Sequence, residues 1–198
     1  MEKKFNQVYQ FKISIDDINP LIWRQIQVPE TYSFWDLHVA IQDVMPWQDY
    51  HLHRFEIVDP CTKMKVEIGI PDEEWMDTKE LPGWEQKIAE YFSMENNSAD
   101  YIYDFGDDWY HKIKLEKILA RDKNINYPVC VAGERACPPE NCGGVCGYEN
   151  LLQAIKNPKH EQHRELLEWI GGKFDPEFFE PKKIKFDNPD KRWKIAFK

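Results

Sequence analysis

The chain has 198 residues, 42% of them hydrophobic, which is enough to form one sizeable domain without disulfides. Its formal net charge of -9 disfavours general nucleic-acid binding, because nonspecific affinity for phosphate backbones requires clustered Lys and Arg. The start of the chain lacks the apolar core of a signal peptide, and the sequence has no apolar run of about 18 residues that could span a bilayer. We therefore expect a cytoplasmic protein with no membrane partner.

Two strands and a helix are predicted at the start of the domain. Residues 9–15 alternate between apolar and polar, which is the period of a half-buried strand, and residues 21–28 are typical of the second arm of a hairpin. Ser33 followed by Asp36 predicts a capping box for an amphipathic helix over 34–45.

The next predicted strand, over 51–58, places His51 and His53 on its more apolar face. The strongest hairpin signal lies at 101–118, where two strands flank a turn built on Gly106 and aspartates. We also predict an irregular connection over 59–83 containing a short strand at 64–68, and helices near 84–93 and over 149–156 and 159–170. Strands first and helices later indicate an α+β fold, with an antiparallel sheet and packed helices in a single domain.

Residues 127–150, YPVCVAGERACPPENCGGVCGYEN, hold four of the five cysteines. Prolines remove backbone donors and glycines favour unusual dihedral angles, so we expect neither a regular helix nor a regular strand here. The order of this cysteine-rich loop must then come from a metal, from turns packed on the core, or from a ligand site.

Several segments together resemble the family named after the third open reading frame of the Ri plasmid A4b. They are NPLIWRQIQVP, WQDYHLHRFEI, YIYDFGDDWYHKI, YPVCVAGERACPPENCGG and WIGGKFDPEFF, and the resemblance covers residues 8–180. It implies a compact, roll-like α+β domain and no particular activity. Two positions depart from the family pattern, since Asn141 stands where relatives read Asp and Cys146 lies outside it.

The clustered cysteines allow three interpretations. Cys130, Cys137, Cys142 and Cys146 are separated by six, four and three residues, and four thiolates could bind tetrahedral zinc at about 2.3 Å. Alternatively, the thiols are buried or support turns. Cys146 could also be a nucleophile, because a helix that starts just after it would lower the pKa of its thiol.

A second candidate site combines His51, His53, Asp104, Asp108 and His111. Histidines two apart on a strand point the same way, and the hairpin could add a carboxylate and a third imidazole to form a hydrolytic metal centre. The alternative is that these residues cap turns and satisfy buried backbone groups.

Our leading hypothesis is a non-catalytic module that binds a small molecule or a protein partner in a cleft between hairpin 101–118 and loop 127–147. Its candidate ligand-binding residues are the five histidines and aspartates just named, together with Glu134. A metal-dependent hydrolase is one alternative. The other is a nucleic-acid accessory protein that uses the basic segment 182–198, which we otherwise interpret as a solvated tail after a domain over 1–181.

Overall fold

The computed structural model describes residues 4–71 and 80–197, so part of the predicted connection over 59–83 lies outside the described residues. Within these ranges the chain forms eight strands: β1 (Gln7–Ile15), β2 (Trp23–Pro29), β3 (His53–Val58), β4 (Lys65–Gly69), β5 (Leu81–Pro82), β6 (Ser98–Tyr103), β7 (Trp109–Ala120) and β8 (Val129–Glu134). The same residues form five α-helices: α1 (Phe34–Val44), α2 (Ile88–Tyr91), α3 (Gly144–Lys156), α4 (His163–Trp169) and α5 (Pro189–Ala196). A short 3-10 helix spans Pro181–Lys183.

The eight strands form one sheet in the order β5-β4-β3-β6-β7-β1-β2-β8. All pairings are antiparallel except the short parallel contact between β4 and β5, so the sheet is mixed rather than fully antiparallel. The α+β prediction is confirmed, as are the opening hairpin β1–β2, the hairpin β6–β7 and the short strand β4. Apolar side chains on alternate residues of β1, β3 and β7 are buried against α1.

Helix α1 begins with the predicted capping box. The hydroxyl of Ser33 accepts the backbone N–H of Asp36, and the carboxylate of Asp36 accepts the backbone N–H of Ser33. Two N–H groups that the helix leaves without intrahelical partners are thereby satisfied in a buried position.

Replacing Ser33 with alanine should lower the free energy of unfolding by roughly 1–2 kcal/mol, because one buried N–H loses its acceptor. Urea denaturation measures this loss. Ser98→Ala, at an exposed position of β6, serves as the control and should change stability by less than about 0.5 kcal/mol. Equal effects of the two substitutions would show that the capping box contributes nothing specific.

One prediction for residues 127–150 is wrong, since this segment includes β8 and the first half of α3. Strand β8 lies at the edge of the sheet and pairs only with β2, and an edge strand tolerates Pro128 before it and Gly133 within it. Helix α3 starts at Gly144, five residues before the predicted start, so Cys146 lies inside the helix. The irregular part is limited to residues 127–128 and 135–143.

The described part of the basic segment 182–198, residues 182–197, is largely exposed, but it packs against the domain. The Nη2 atom of Arg192 lies 2.7 Å from Oδ1 of Asp43 in α1. The ring of Trp193 packs edge-on against Trp35 at 5.3 Å and against Trp84 at 4.6 Å. These contacts pack α5 against α1, and the ion pair of Arg192 with Asp43 reduces the basic charge available to a phosphate backbone.

Candidate functional site

His51 lies two residues before β3 and contacts the turn between β6 and β7. Its Nε2 atom is 2.9 Å from Oδ1 of Asn141 and 3.4 Å from Oδ2 of Asp104. The other carboxylate oxygen of Asp104 accepts the backbone N–H groups of Gly106 and Asp107 at 3.0 and 3.3 Å. His51 and Asp104 are therefore brought together, but the carboxylate also shapes its own turn.

His111 is enclosed in the core beside Tyr101. Its Nδ1–H donates to the backbone carbonyls of Trp109 and Tyr101 at 2.9 and 3.2 Å, and its buried Nε2 has no hydrogen-bond partner among the described residues. Trp47 packs edge-on against the ring at 5.4 Å. Burial lowers the pKa of His111 to about 4, so the imidazole is neutral at pH 7.

Asp108 and Glu134 are both exposed and lie apart from the histidines. The N–H of Asp108 donates to the carbonyl of Asp104 at 2.7 Å, and its φ of 52° is in the left-handed region, which fits a turn residue. The carboxylate of Glu134 accepts the indole N–H of Trp23 at 3.1 Å. The backbone of Asp108 and the side chain of Glu134 thus have structural partners at their own positions.

The turn of hairpin β6–β7 is in direct contact with the loop before α3. The N–H of Gly143 donates to Oδ2 of Asp107 at 3.1 Å, and the hydroxyl of Tyr103 donates to the carboxylate of Glu140 at 2.5 Å. The two predicted walls of the cleft thus touch at these residues. The loop acts here as a rigid support for the hairpin.

The four cysteines of this region occupy different environments. Cys130 and Cys137 are buried, Cys142 is half-buried and Cys146 is exposed. Burial raises the thiol pKa of Cys130 to about 11, and those of Cys137 and Cys142 to about 12, so these groups are protonated at pH 7. Within the described residues the four thiols do not form a close group of ligands.

The described residues contain one group of three or more His, Cys, Asp or Glu side chains close enough to share an ion, namely His38, Asp49 and His53. Only His53 was predicted as a site residue, and the other predicted histidines and carboxylates lie outside the group. His38 comes from α1, Asp49 from the turn after it, and His53 from the start of β3. A sequence signal was available, because His38 and Gln42 follow Phe34 at four-residue intervals on one helix face.

A concave region lies between α3, α4 and residues 172–177, and we call it the α3–α4 cleft. Its volume is about 700 Å³. The lining residues are Arg135, Leu152, Ile155, Lys156, Leu167, Gly172, Lys173, Phe174, Asp175, Pro176 and Glu177. The two helices are joined by Nδ1–H of His163, which donates to the carbonyl of Ala154 at 2.7 Å.

Some charged groups of the α3–α4 cleft form an ion pair and others do not. The guanidinium of Arg135 binds the carboxylate of Glu177 through Nε and Nη2 at 3.0 and 2.9 Å. Lys156 and Lys173 form no ion pair with any described residue. The carboxylate of Asp175 accepts the backbone N–H of Glu177 at 3.0 Å. The cleft therefore combines apolar walls with two available cationic groups and one carboxylate.

Fold and sites together define a single-domain α+β protein that carries a buried His–Asp–His group and an apolar cleft between its later helices. Within residues 4–71 and 80–197, no helix is both long and apolar enough to cross a membrane. The chain belongs to the family described as "Plasmid pRiA4b ORF-3-like protein", whose model matches residues 7–183.

Two relatives show how far this likeness extends. The "Uncharacterized protein y4hQ" of Sinorhizobium fredii is 34% identical over 167 residues, which cover 83% of this chain and 81% of the relative. The crystal structure titled "Protein of Unknown Function MM3350 from Methanosarcina mazei Go1" is 49% identical and superposes with a TM-score of 0.87. That match covers 92% of this chain and all of the solved chain, so the fold is shared over nearly its full length.

Proposed function

We propose that this protein is a cytoplasmic, non-catalytic binding module, and that the α3–α4 cleft takes a small molecule with an apolar body and one anionic group. The observation that carries the proposal is the cleft itself, whose volume of about 700 Å³ lies within the range of small-molecule sites. The five cysteines are all free thiols, which supports a reducing compartment.

The lining supports binding more than catalysis. The residues that border the cleft include no Ser, Cys or His that could act as a nucleophile or general base. Leu152, Ile155, Leu167 and Phe174 offer apolar surface, and each CH₂ group buried there contributes roughly 0.8 kcal/mol. A carboxylate on the ligand would meet the ammonium groups of Lys156 or Lys173.

Decanoate is a suitable probe because it joins a ten-carbon apolar chain to one carboxylate. Isothermal titration calorimetry should give a dissociation constant on the order of 0.1–1 mM for the wild-type protein, since burying about half of the chain's CH₂ groups contributes roughly 3 kcal/mol and the two cations add about 1 kcal/mol. Ile155→Trp fills the cleft and should weaken binding at least about tenfold, which corresponds to roughly 1.4 kcal/mol.

The contribution of charge is tested separately. The double substitution Lys156→Gln and Lys173→Gln should weaken decanoate binding by about fivefold to tenfold, because two exposed cations are removed. Lys159→Gln is the control, since Lys159 is exposed and outside the cleft. Wild-type affinity in Ile155→Trp, or no binding by the wild-type protein, would refute the proposed ligand class.

A further inference from the structure

The group of His38, Asp49 and His53 has the composition of a transition-metal site. Each side chain offers one nitrogen or oxygen atom, and these atoms all lie within 4.8 Å of one another. Two imidazoles and one carboxylate suit zinc, cobalt(II) and iron(II). In a tetrahedral site with bonds of about 2.0–2.1 Å, donor atoms lie about 3.3–3.4 Å apart. The most distant pair of donor atoms therefore has to approach by up to about 1.5 Å. Nε2 of His38 and Oδ1 of Asp49, now 2.8 Å apart, have to separate slightly.

His38 is held in place by hydrogen bonds at both ring nitrogens. Its Nδ1 is 2.8 Å from the hydroxyl of Tyr101, and its Nε2 is 2.8 Å from Oδ1 of Asp49. The hydroxyl of Tyr101 also accepts the amide N–H of Gln42 at 3.0 Å. A metal-bound histidine is oriented in this way, with one ring nitrogen on the ion and the other on a hydrogen-bonding partner.

The donor and acceptor roles in this chain of hydrogen bonds depend on which ring nitrogen of His38 carries the proton. In one direction Tyr101 donates to Nδ1 of His38, and Nε2–H donates to Asp49. The buried Oε1 of Gln42 has no hydrogen-bond partner among the described residues, so a turned amide would accept from Tyr101 instead. Tyr101 would then accept Nδ1–H of His38, and the lone pair of Nε2 would be free for a cation without loss of a proton.

His53 is buried although one of its ring nitrogens has no hydrogen-bond partner among the described residues. Its ring is only 2% exposed, and its Nδ1 has no hydrogen-bond partner among the described residues. Burial and the neighbouring His38 lower the pKa of His53 well below its ordinary value, so the ring is neutral. The two rings stack in parallel with centroids 3.4 Å apart, and a shared ion would require them to tilt until their nitrogens converge. Neutral imidazole is the form that binds metals.

Helix α5 covers this group. The Nη1 atom of Arg192 lies 3.7 Å from Oδ2 of Asp49, and Trp35, whose centroid is 5.3 Å from that of His38, is packed by Trp193. The guanidinium and a metal ion would compete for the same carboxylate.

We propose that His38, Asp49 and His53 form a binding site for one divalent transition-metal ion, with Tyr101 as a positioning residue and Arg192 as a competing cation. The site goes beyond the proposed binding function. It shares no residue with the α3–α4 cleft, so the two proposals can fail separately.

Cobalt(II) is the probe, because its visible d–d absorption reports on coordination. The metal-free wild-type protein should bind one equivalent with a tetrahedral or five-coordinate spectrum and show no cobalt–thiolate charge-transfer band. Asp49→Asn and His53→Gln should abolish that spectrum, whereas His51→Gln, outside the group, should leave it unchanged. Tyr101→Phe should lower affinity by about 10–100-fold, as expected for a group that orients a ligand.

Arg192→Gln should raise the affinity for cobalt(II), because it removes the cation that competes for Asp49. Far-ultraviolet circular dichroism verifies that each variant is folded. The proposal is overturned by any of three results. These are no cobalt spectrum in either the wild-type or the Arg192→Gln protein, a spectrum that survives in both Asp49→Asn and His53→Gln, or a near-ultraviolet charge-transfer band that assigns the ion to cysteines.

Discussion

Replacing Arg24 with alanine is expected to lower the free energy of unfolding by about 3–5 kcal/mol, the largest effect of any substitution considered for this chain. The side chain is fully buried in β2. Its Nε–H donates to the carbonyl of Val44 at 2.9 Å, and Nη1 donates to the carbonyls of Trp23 and Glu134 at 2.8 and 2.9 Å. One guanidinium thus connects the end of α1 to β2 and to the end of β8.

Truncation at Arg24 would leave three carbonyls without these donors and would remove the contact of the guanidinium with the ring of Phe179, now 3.8 Å away. Arg24→Lys should recover less than half of the loss, because an ammonium cannot reproduce the planar fork. Urea denaturation at pH 7 measures both variants, with the exposed Arg164→Ala as control. A loss below about 1 kcal/mol for Arg24→Ala would contradict this description.

Acidification should destabilise the protein through His111. In the folded state the pKa of His111 is about 4, and in the unfolded state it is close to the ordinary value of about 6.5. Between these values the unfolded chain binds a proton that the folded protein does not bind. Stability therefore falls as pH falls from about 6.5 to 4, by an amount on the order of 3 kcal/mol.

His111→Gln removes this titration, although it has its own cost at neutral pH. We expect the stability difference between wild type and variant to shrink, or to change sign, as pH falls from 7 to 4.5. Urea denaturation at several pH values measures it, and His160→Gln, at a partly exposed position outside the core, is the control. A difference that does not vary with pH would show that His111 titrates normally in the folded protein.

Local patterns were sufficient to predict much of the fold. The alternation in β1 and β7 and the Ser33–Asp36 capping box depend on residues close in sequence, and the structure contains all three. Gly171 and Gly172 adopt positive φ values of 79° and 91° after α4, as expected for a helix that stops at glycines.

Tertiary context decided the elements that the sequence analysis missed. Gly133 and Pro128 argued against a strand, but only a central strand excludes them, and the sequence does not show that β8 lies at the edge. Helix α3 extends back to Gly144, where the loop before it is fixed by contacts to the turn of hairpin β6–β7.

The sites were harder to predict because they depend on contacts between distant segments. The helical spacing in α1 places His38 on the same face as Phe34, but His38 meets His53 only because α1 packs across β3. The α3–α4 cleft exists because residues 174–177 return to the end of β8, where the N–H of Ala136 donates to the carbonyl of Pro176 at 2.9 Å. Neither arrangement has a fixed spacing in the sequence.

The most direct test of the proposed binding function is a titration of ¹⁵N-labelled protein with decanoate, followed by amide chemical shifts. We predict saturable shifts concentrated at residues 152–156 and 167–177, with little change at the turn of hairpin β6–β7 and residues 141–143. Shifts centred on that turn and loop, or no saturable shifts at millimolar decanoate, would contradict the assignment of the α3–α4 cleft as the ligand site.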